Sequence, residues 1–386
     1  MKKKILIKCT SSCGIAMVSN AEAHTLMSFS NTLKKDYQII ISGIEKKTNL
    51  VNQLSSKDII INKPFIKYLN FKFIKNFIHI PVSLINLYVD VKKNKPDLLI
   101  CLGGVFYNGL SILILGKLFN IKFLIRSAED HYSVFKTEKG FSIQKIYSLL
   151  RYLISKFVIK YSDNFLTVGE YSLNMFRAKY GIASKNSFNI CGPIDEMIIN
   201  YKQFSLSKEV CKSNIINKFS LFAEKLILFV SNGGDIKGTN HMFKLAEEIY
   251  KEKLDVNIIW ITSINKIPDN YIFLSNIIKI IRPLSKDKLV EVLKGVDFLF
   301  FATNSRVGYG QIILETLICG TEVICFRPKG DLLNLVGKSH YIDFEEILDR
   351  LRNNIPPKQI VIPPFMDKNQ IDLKLKILIR RLLNEK

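Results

Sequence analysis

Acidic residues are scarce in this chain: 34 Asp and Glu stand against 56 Lys and Arg, a formal net charge of +22. A strongly cationic partner is thereby disfavoured, and the charge suits an anionic membrane surface or a phosphate-bearing acceptor. Nucleic acid fits less well, because the basic residues are interleaved with apolar runs and match no nucleic-acid-binding module. Histidine is scarcer still, and the seven cysteines form no C-x-x-C pair and have no His partner at ligand spacing, so no zinc site is expected. Cys9, Cys101, Cys319 and Cys325 lie in apolar runs and read as small core residues of a reducing compartment. Met1-Lys2-Lys3-Lys4 is followed by an apolar run too short for a signal peptide, which reads as a first strand. The one uncharged run long enough to suggest a membrane helix, residues 98–116, is interrupted by Gly103, Gly104, Asn108 and Gly109. It is expected to break into strand, turn and helix and to be buried.

What the chain does have is enough apolar residue for two cores. A length of 386 residues with 48% hydrophobic and 23% charged residues describes a folded protein of two domains. Residues 1–200 hold 28 Lys and Arg against 13 Asp and Glu, a balance of +15, which leaves +7 for the remainder. Part of that excess belongs to a chain rich in Lys, Ile and Asn throughout.

Apolar runs alternate with helical patterns from the start. Residues 4–9 read as a strand, 10–14 as a polar turn, 18–33 as a helix and 37–41 as a second strand, a βαβ unit in which Gly14 could let the backbone approach a ligand. The run Phe65, Lys67, Tyr68, Phe71, Lys72, Phe73, Lys75, Phe77 is a candidate membrane-lying surface, or a helix with its lysines in solvent. Strands follow at 96–101 and 121–126. The second of these ends in the polar cluster Arg126-Ser127-Ala128-Glu129-Asp130-His131-Tyr132, whose side chains could serve as acid, base or hydroxyl ligand, or lie in a solvated loop. Residues 144–161 form an apolar helix studded with Lys and Arg. A polar stretch, 196–223, reads as a linker, after which the pattern restarts with strands at 226–230, 256–261, 277–281 and 297–301.

Two stretches of this second half carry the chemistry. Ser231-Asn232-Gly233-Gly234-Asp235-Ile236-Lys237-Gly238 follows a strand, with glycines that let the backbone turn close to a ligand and Lys237 as a compact positive charge. Residues 307–326 pack a turn, a helix and a strand together. Gly308, Tyr309 and Gly310 open an apolar segment closed by Gly320, and Gln311 begins the helix. Glu315 stands about one turn in, where apolar packing does not explain it. A helix opened by glycine offers backbone N–H groups and partial positive charge to a phosphate.

This last stretch resembles the C-terminal signature of family 4 glycosyltransferases, E-x-F-G-x-x-x-x-E-A-x-A-x-G-x-P-V. The passages around Ser162–Glu170, Tyr180-Gly181 and Cys191–Asp195 are similar to further marks of that family, and Lys237-Gly238 matches its phosphate-binding K-G. Val307 stands where the family carries its first Glu, Asn232 where it carries Arg, and Gly169 where it carries Ser; Arg306 or Arg282 could replace the missing cation. The resemblance implies a GT-B fold of α/β class: two facing Rossmann-like doubly wound domains with the active site in the cleft between them. The implied layout is an acceptor-side domain at 1–195, a linker at 196–225, a nucleotide-sugar-binding domain at 226–370 and a C-terminal helix at 371–386 that returns to the first domain. It further implies that Glu315 holds the donor ribose, that Gly308, Tyr309, Gly310 and Gln311 face the donor phosphates with Gly14, and that Gly233, Gly234 and Lys237 hold the pyrophosphate. Asp130 or His131 would lie near the acceptor hydroxyl.

The implied reaction is transfer of a sugar from a nucleotide-sugar donor to a glycan or lipid-linked saccharide in cell-surface polysaccharide synthesis, with anomeric configuration retained. No metal or other cofactor is expected, since no D-x-D pair stands in a suitable loop. The expected place is the cytoplasm, peripheral on the inner face of the membrane. A catalytically weakened partner or scaffold, and a GT-B sugar-nucleotide epimerase, are the alternatives.

Overall fold

The Ile- and Leu-rich runs of the sequence become the strands of two parallel sheets. Strands buried on both faces read as continuous apolar runs rather than as alternating ones, and Val256–Ile261 is buried at all six positions. The computed structural model describes residues 2–8, 21–42, 56–65, 75–128, 132, 135, 143–182, 186–191, 206–234, 237–304 and 308–385. The chain divides into one unit of Met1–Pro193 with Asp367–Lys386, and a second of Ile194–Met366.

The first unit contains β1 (Lys4–Lys8), α1 (Ala21–Leu33), β2 (Gln38–Ser42), β3 (Ile59–Asn62), α2 (Lys75–Asn94), β4 (Leu98–Cys101), α3 (Leu110–Leu118), β5 (Lys122–Arg126), α4 (Ile143–Lys160), β6 (Phe165–Thr167), α5 (Glu170–Tyr180) and β7 (Ser187–Asn189). Its strands are ordered β3-β2-β1-β4-β5-β6-β7 and pair in parallel. The uncharged run 98–116 is β4, a π-helical turn at Val105–Gly109 and most of α3. Gly104, at φ 62°, makes the sharp bend between them. Among the described residues no helix is long and apolar enough to cross a membrane. The last helix of the chain, Lys368–Leu383, packs on α1, where Thr32 Oγ1 donates to Asp372 Oδ1 at 2.6 Å.

A buried polar group lies at the carboxyl ends of the first three strands. Lys8, the last residue of β1, is 1% exposed, and its Nζ donates to Ser42 Oγ, at the end of β2, over 3.3 Å. Asn62, which ends β3, donates to Asp90 Oδ1 of α2 at 2.7 Å. Burial pushes the Asp90 carboxyl above its ordinary value, while hydrogen bonds from Ser42 and Asn62 and the charge of Lys8 pull it back.

The second unit opens on a helix. The stretch expected as a linker, 196–225, contains the helix α6 (Lys208–Phe219). Ser207 caps it by accepting from the Val210 N–H, Glu209 suits its positive end, and Cys211 and Ile215 bury one narrow stripe against α8 (Lys286–Gly295). With only two fully buried positions in twelve residues, its sequence reads as polar and irregular. The sheet that follows has β8 (Lys225–Val230), β9 (Val256–Ile261), β10 (Ile278–Ile281), β11 (Phe298–Phe301) and β12 (Glu322–Cys325), ordered β10-β9-β8-β11-β12 and parallel. Between and beyond them lie α7 (Thr239–Lys251), α9 (Gln311–Ile318), α10 (Asp331–Val336) and α11 (Phe344–Asn353). The single tryptophan, Trp260, is fully buried beside Phe229 and Phe243, and its Nε1–H donates to the Ser231 carbonyl at 2.9 Å. That bond ties the core to the loop that leaves β8.

Candidate functional site

In an open parallel sheet a ligand crevice forms at the carboxyl ends of adjacent strands whose connections run to opposite sides. In the second unit that place is between β8 and β11, and both sequence-predicted stretches begin there: residues 231–238 follow β8 and residues 302–310 follow β11. The two loops are in direct contact. Gly238 has φ +76°, and a Cβ there would run into the Ala302 carbonyl oxygen, so only glycine allows this approach. Gly310 has φ +68°, and its missing Cβ would lie 2.7 Å from the ring of Phe301 at the end of β11.

Each loop delivers a helix N-terminus. α7 starts at Gly238 and α9 at Gly310; neither has a side-chain cap or an acidic residue in its first turn. Elsewhere in the unit, Ser207 caps α6 and Asp343 caps α11, and α8 and α10 carry Asp287 and Asp331 in their first turns. Among the described residues, the two helices at the switch point are thus the ones whose first turns have neither a side-chain cap nor an acidic residue, an arrangement suited to an anion. Gln311, the first residue of α9, adds a buried Nε2 with no hydrogen-bond partner. Lys237 precedes the cap of α7, exposed, with its backbone N–H bonded to the Gly234 carbonyl at 3.1 Å and no ion pair among the described residues. Gly233 and Gly234 have φ 90° and 87°, and the Gly233 N–H donates to Ser231 Oγ at 3.1 Å.

Glu315 lies on the second turn of α9 and is only 4% exposed. Gly308, Tyr309, Gly310 and Gln311 are all half-buried. Tyr309 stands with its ring centroid 6.1 Å from that of Phe365. The structure therefore brings Gly233, Gly234, Lys237, Gly308, Tyr309, Gly310, Gln311 and Glu315 to one end of one sheet. Gly14, Asp130, His131, Arg306 and Val307 lie outside the described residues. Asn232 accepts from the Ser263 N–H and hydroxyl, both at 3.4 Å, and so joins the loops after β8 and β9. Arg282 is not brought to the switch point. It follows the edge strand β10, two strands or roughly 10 Å from β8, and its Nη1 donates to the Ser263 carbonyl at 2.8 Å.

One residue of the site is absent from the sequence reading. Asp331, fully buried at the start of α10, accepts the Gly308 N–H on Oδ2 at 3.2 Å and so fixes the glycine loop from behind. Its signal is a charged residue set directly after Gly330 and before the apolar Leu332. Asp331→Ala is expected to leave that N–H unpaired, lowering stability by about 1–3 kcal/mol, whereas Asp331→Asn, which keeps an acceptor oxygen, should lose much less. Thermal unfolding of both variants checks this; equal midpoints for Asp331→Ala and the parent chain would remove the positioning role.

Past β12 an open depression of about 540 Å³ is lined by Arg327, Pro328, Lys329, Leu333, His340, Ile342 and Asp343. It meets the site through Lys329, whose Nζ donates to Asn304 Oδ1 at 3.2 Å in the loop after β11. Cys325 nearby is buried, which pushes its thiol up to about 12 and leaves it unreactive. Among the described residues no group of three or more His, Cys, Asp or Glu side chains is placed to hold a metal ion.

No family model matches the chain, and no curated protein matches it. Solved structures do. Sucrose-phosphate synthase from Thermosynechococcus elongatus is similar with a TM-score of 0.72 at 12% identity, over 99% of this chain and 100% of that one. Anabaena HepE in complex with UDP-glucose is similar with a TM-score of 0.66 at 12% identity, over 100% and 99%. A candidate UDP-N-acetylglucosamine 2-epimerase from Listeria monocytogenes is similar with a TM-score of 0.60 at 14% identity, over 98% and 96%. Identities this low establish architecture, and with two sheets of parallel strands and interleaved helices the architecture is the GT-B fold of glycosyltransferases.

Proposed function

We propose that the chain transfers a glycosyl group from a nucleotide-sugar donor to a hydroxyl of a glycan or lipid-linked saccharide. The observation that carries this reading is the pair of uncapped, glycine-opened helices at one switch point, with Lys237 beside one and Glu315 inside the other. As the glycosidic bond breaks, negative charge grows on the departing nucleoside diphosphate. N–H groups and a lysine already aimed at it lower the barrier without reorganising. Glu315, one turn deeper, takes the ribose hydroxyls. The UDP-glucose held by HepE on the same fold supports a uridine donor. Retention of configuration and a role in surface polysaccharide synthesis rest on the resemblance to family 4. The cationic first half of the chain would meet an anionic membrane from the cytoplasmic side.

Calorimetric titration with UDP, GDP and ADP tests the donor site. Binding of one of them, weakened by Lys237→Ala and by Glu315→Ala, is the expected result; no binding of any nucleotide overturns the transferase. The Listeria neighbour supports epimerisation as the second reading. That reading requires donor alone to give its epimer, either still joined to the nucleotide or as free sugar with the nucleoside diphosphate, which a donor panel without acceptor, read by proton NMR, decides.

A further inference from the structure

The helix α4 is amphipathic in the wrong sense for a helix that merely covers a sheet. Its buried positions include Ser148 and Ser155, the latter with an unpartnered hydroxyl, alongside Val158 and Ile159. Its exposed apolar positions are Ile146, Leu149, Leu153 and Phe157, with Tyr161 just past its end. Spaced by three or four residues, these five form one outward stripe roughly 120° wide at 100° per residue. Leu153 is 48% exposed and Phe157 51% exposed, their apolar surface open to water. The same face continues on its neighbours, since α3 packs against α4 and α2 against α3. Those helices expose Ile114 and Leu118, and Ile85 and Tyr88.

Charge narrows what can cover this face. Residues 143–160 carry Lys145, Arg151, Lys156 and Lys160 and no acidic residue. At helical spacing Lys145 and Lys156 run along one edge of the stripe, and Lys160 closes it. A second copy of the chain, docked stripe to stripe, would set these cations against themselves. A bilayer with anionic headgroups matches both features: acyl chains receive the apolar stripe and phosphates receive its lysine edge. The Lys and aromatic run at residues 65–77 offers less to this role. Its residues 66–74 lie outside the described ones, Lys75 and Phe77 fall in the first turn of α2, and Phe65 is exposed.

We infer that the outward face of α4 lies in the interface of an anionic membrane, with Leu149, Leu153 and Phe157 among the acyl chains and Lys156 and Lys160 at the phosphates. The inference narrows the membrane part of the proposed function to one helix. It stands apart from the transfer chemistry, because vesicle binding and nucleotide titration are separate measurements that can fail separately.

The test is co-sedimentation of the full chain with vesicles of phosphatidylglycerol and phosphatidylethanolamine, and with vesicles of phosphatidylcholine alone. Binding to the first and little to the second is expected. Leu153→Gln/Phe157→Gln should reduce partitioning by roughly thirtyfold, and Lys156→Gln/Lys160→Gln by roughly tenfold or more at low salt. Both variants should keep the parent's circular dichroism and nucleotide affinity, since Leu153, Phe157 and Lys160 are exposed and Lys156 is half-buried over the Tyr152 ring. Equal binding to both vesicle types overturns the inference, as does unchanged binding by the Leu153→Gln/Phe157→Gln chain. A parent chain that is dimeric by light scattering and becomes monomeric in that variant overturns it too, in favour of a second copy on this face.

Discussion

Lys237→Ala should lower turnover with the preferred donor by about 10²- to 10³-fold, equivalent to about 3–4 kcal/mol of lost transition-state stabilisation. The size follows from how few cations the described residues set near the place where the leaving phosphate would sit in the proposed site. Asn232 occupies the position that Arg holds in family 4 and spends its oxygen on Ser263, and Arg282 is held two strands away on the Ser263 carbonyl. With no second cation among the described residues of that loop to take over, the helix N-termini would carry more of the developing charge, the other described cation at this end of the sheet being Lys329, held on Asn304 after β11. The contact strengthens as charge accumulates, so kcat should fall more than KM rises. Stability should hardly change, because Lys237 is exposed and makes no ion pair with a described residue. Steady-state kinetics beside a thermal melt measure both; a Lys237→Ala chain with the parent's kcat removes Lys237 from the proposed chemistry. Glu315→Ala gives a contrasting pattern. It should weaken UDP while leaving inorganic pyrophosphate unaffected, because in the proposed site the carboxylate within α9 takes the ribose and the helix start takes the phosphates.

The sequence made the strands legible because parallel strands buried on both faces must be apolar throughout. Runs such as 226–230, 256–261 and 297–301 became β8, β9 and β11 to within one residue. The site loops were legible for a different reason. Gly238 and Gly310 are places where a Cβ would meet the Ala302 carbonyl or the Phe301 ring, so the glycines marking them in the sequence are sterically required. Helix α6 was hidden because two buried residues in twelve leave almost no periodic signal, and its surviving cue was the Ser207 cap. Asp331 was hidden because its role is a bond to a backbone N–H 23 residues earlier, and no local pattern announces such a contact. The outward stripe of α4 was unreadable in principle. Periodicity shows that a helix has an apolar face, but only the packed structure shows whether that face points in or out.

Lys8→Met is expected to be the most damaging single change to the fold, at about 3–5 kcal/mol. Lys8 and Asp90 are both at least 95% buried, linked through Ser42, with Asn62 on the far carboxylate oxygen. Removing the lysine leaves a carboxylate in a dry setting with its hydrogen bonds but without its counter-charge. Replacing both, as in Lys8→Met/Asp90→Asn, should recover much of the loss, because a neutral amide needs no counter-ion. The pH dependence separates this cause from poor packing of methionine. Asp90 is already raised above the ordinary 3.8 by burial, and losing Lys8 raises it further. A carboxyl with a raised folded-state pKa stabilises the fold most below its unfolded value, and that contribution is lost as pH rises through the folded value. The Lys8→Met chain should therefore regain stability relative to the parent as pH is lowered toward the ordinary carboxylate value. Urea unfolding of parent, single and double variants across neutral to mildly acidic pH measures this. A gap between Lys8→Met and the parent that stays constant with pH would falsify the electrostatic account and assign the loss to packing at the end of β1.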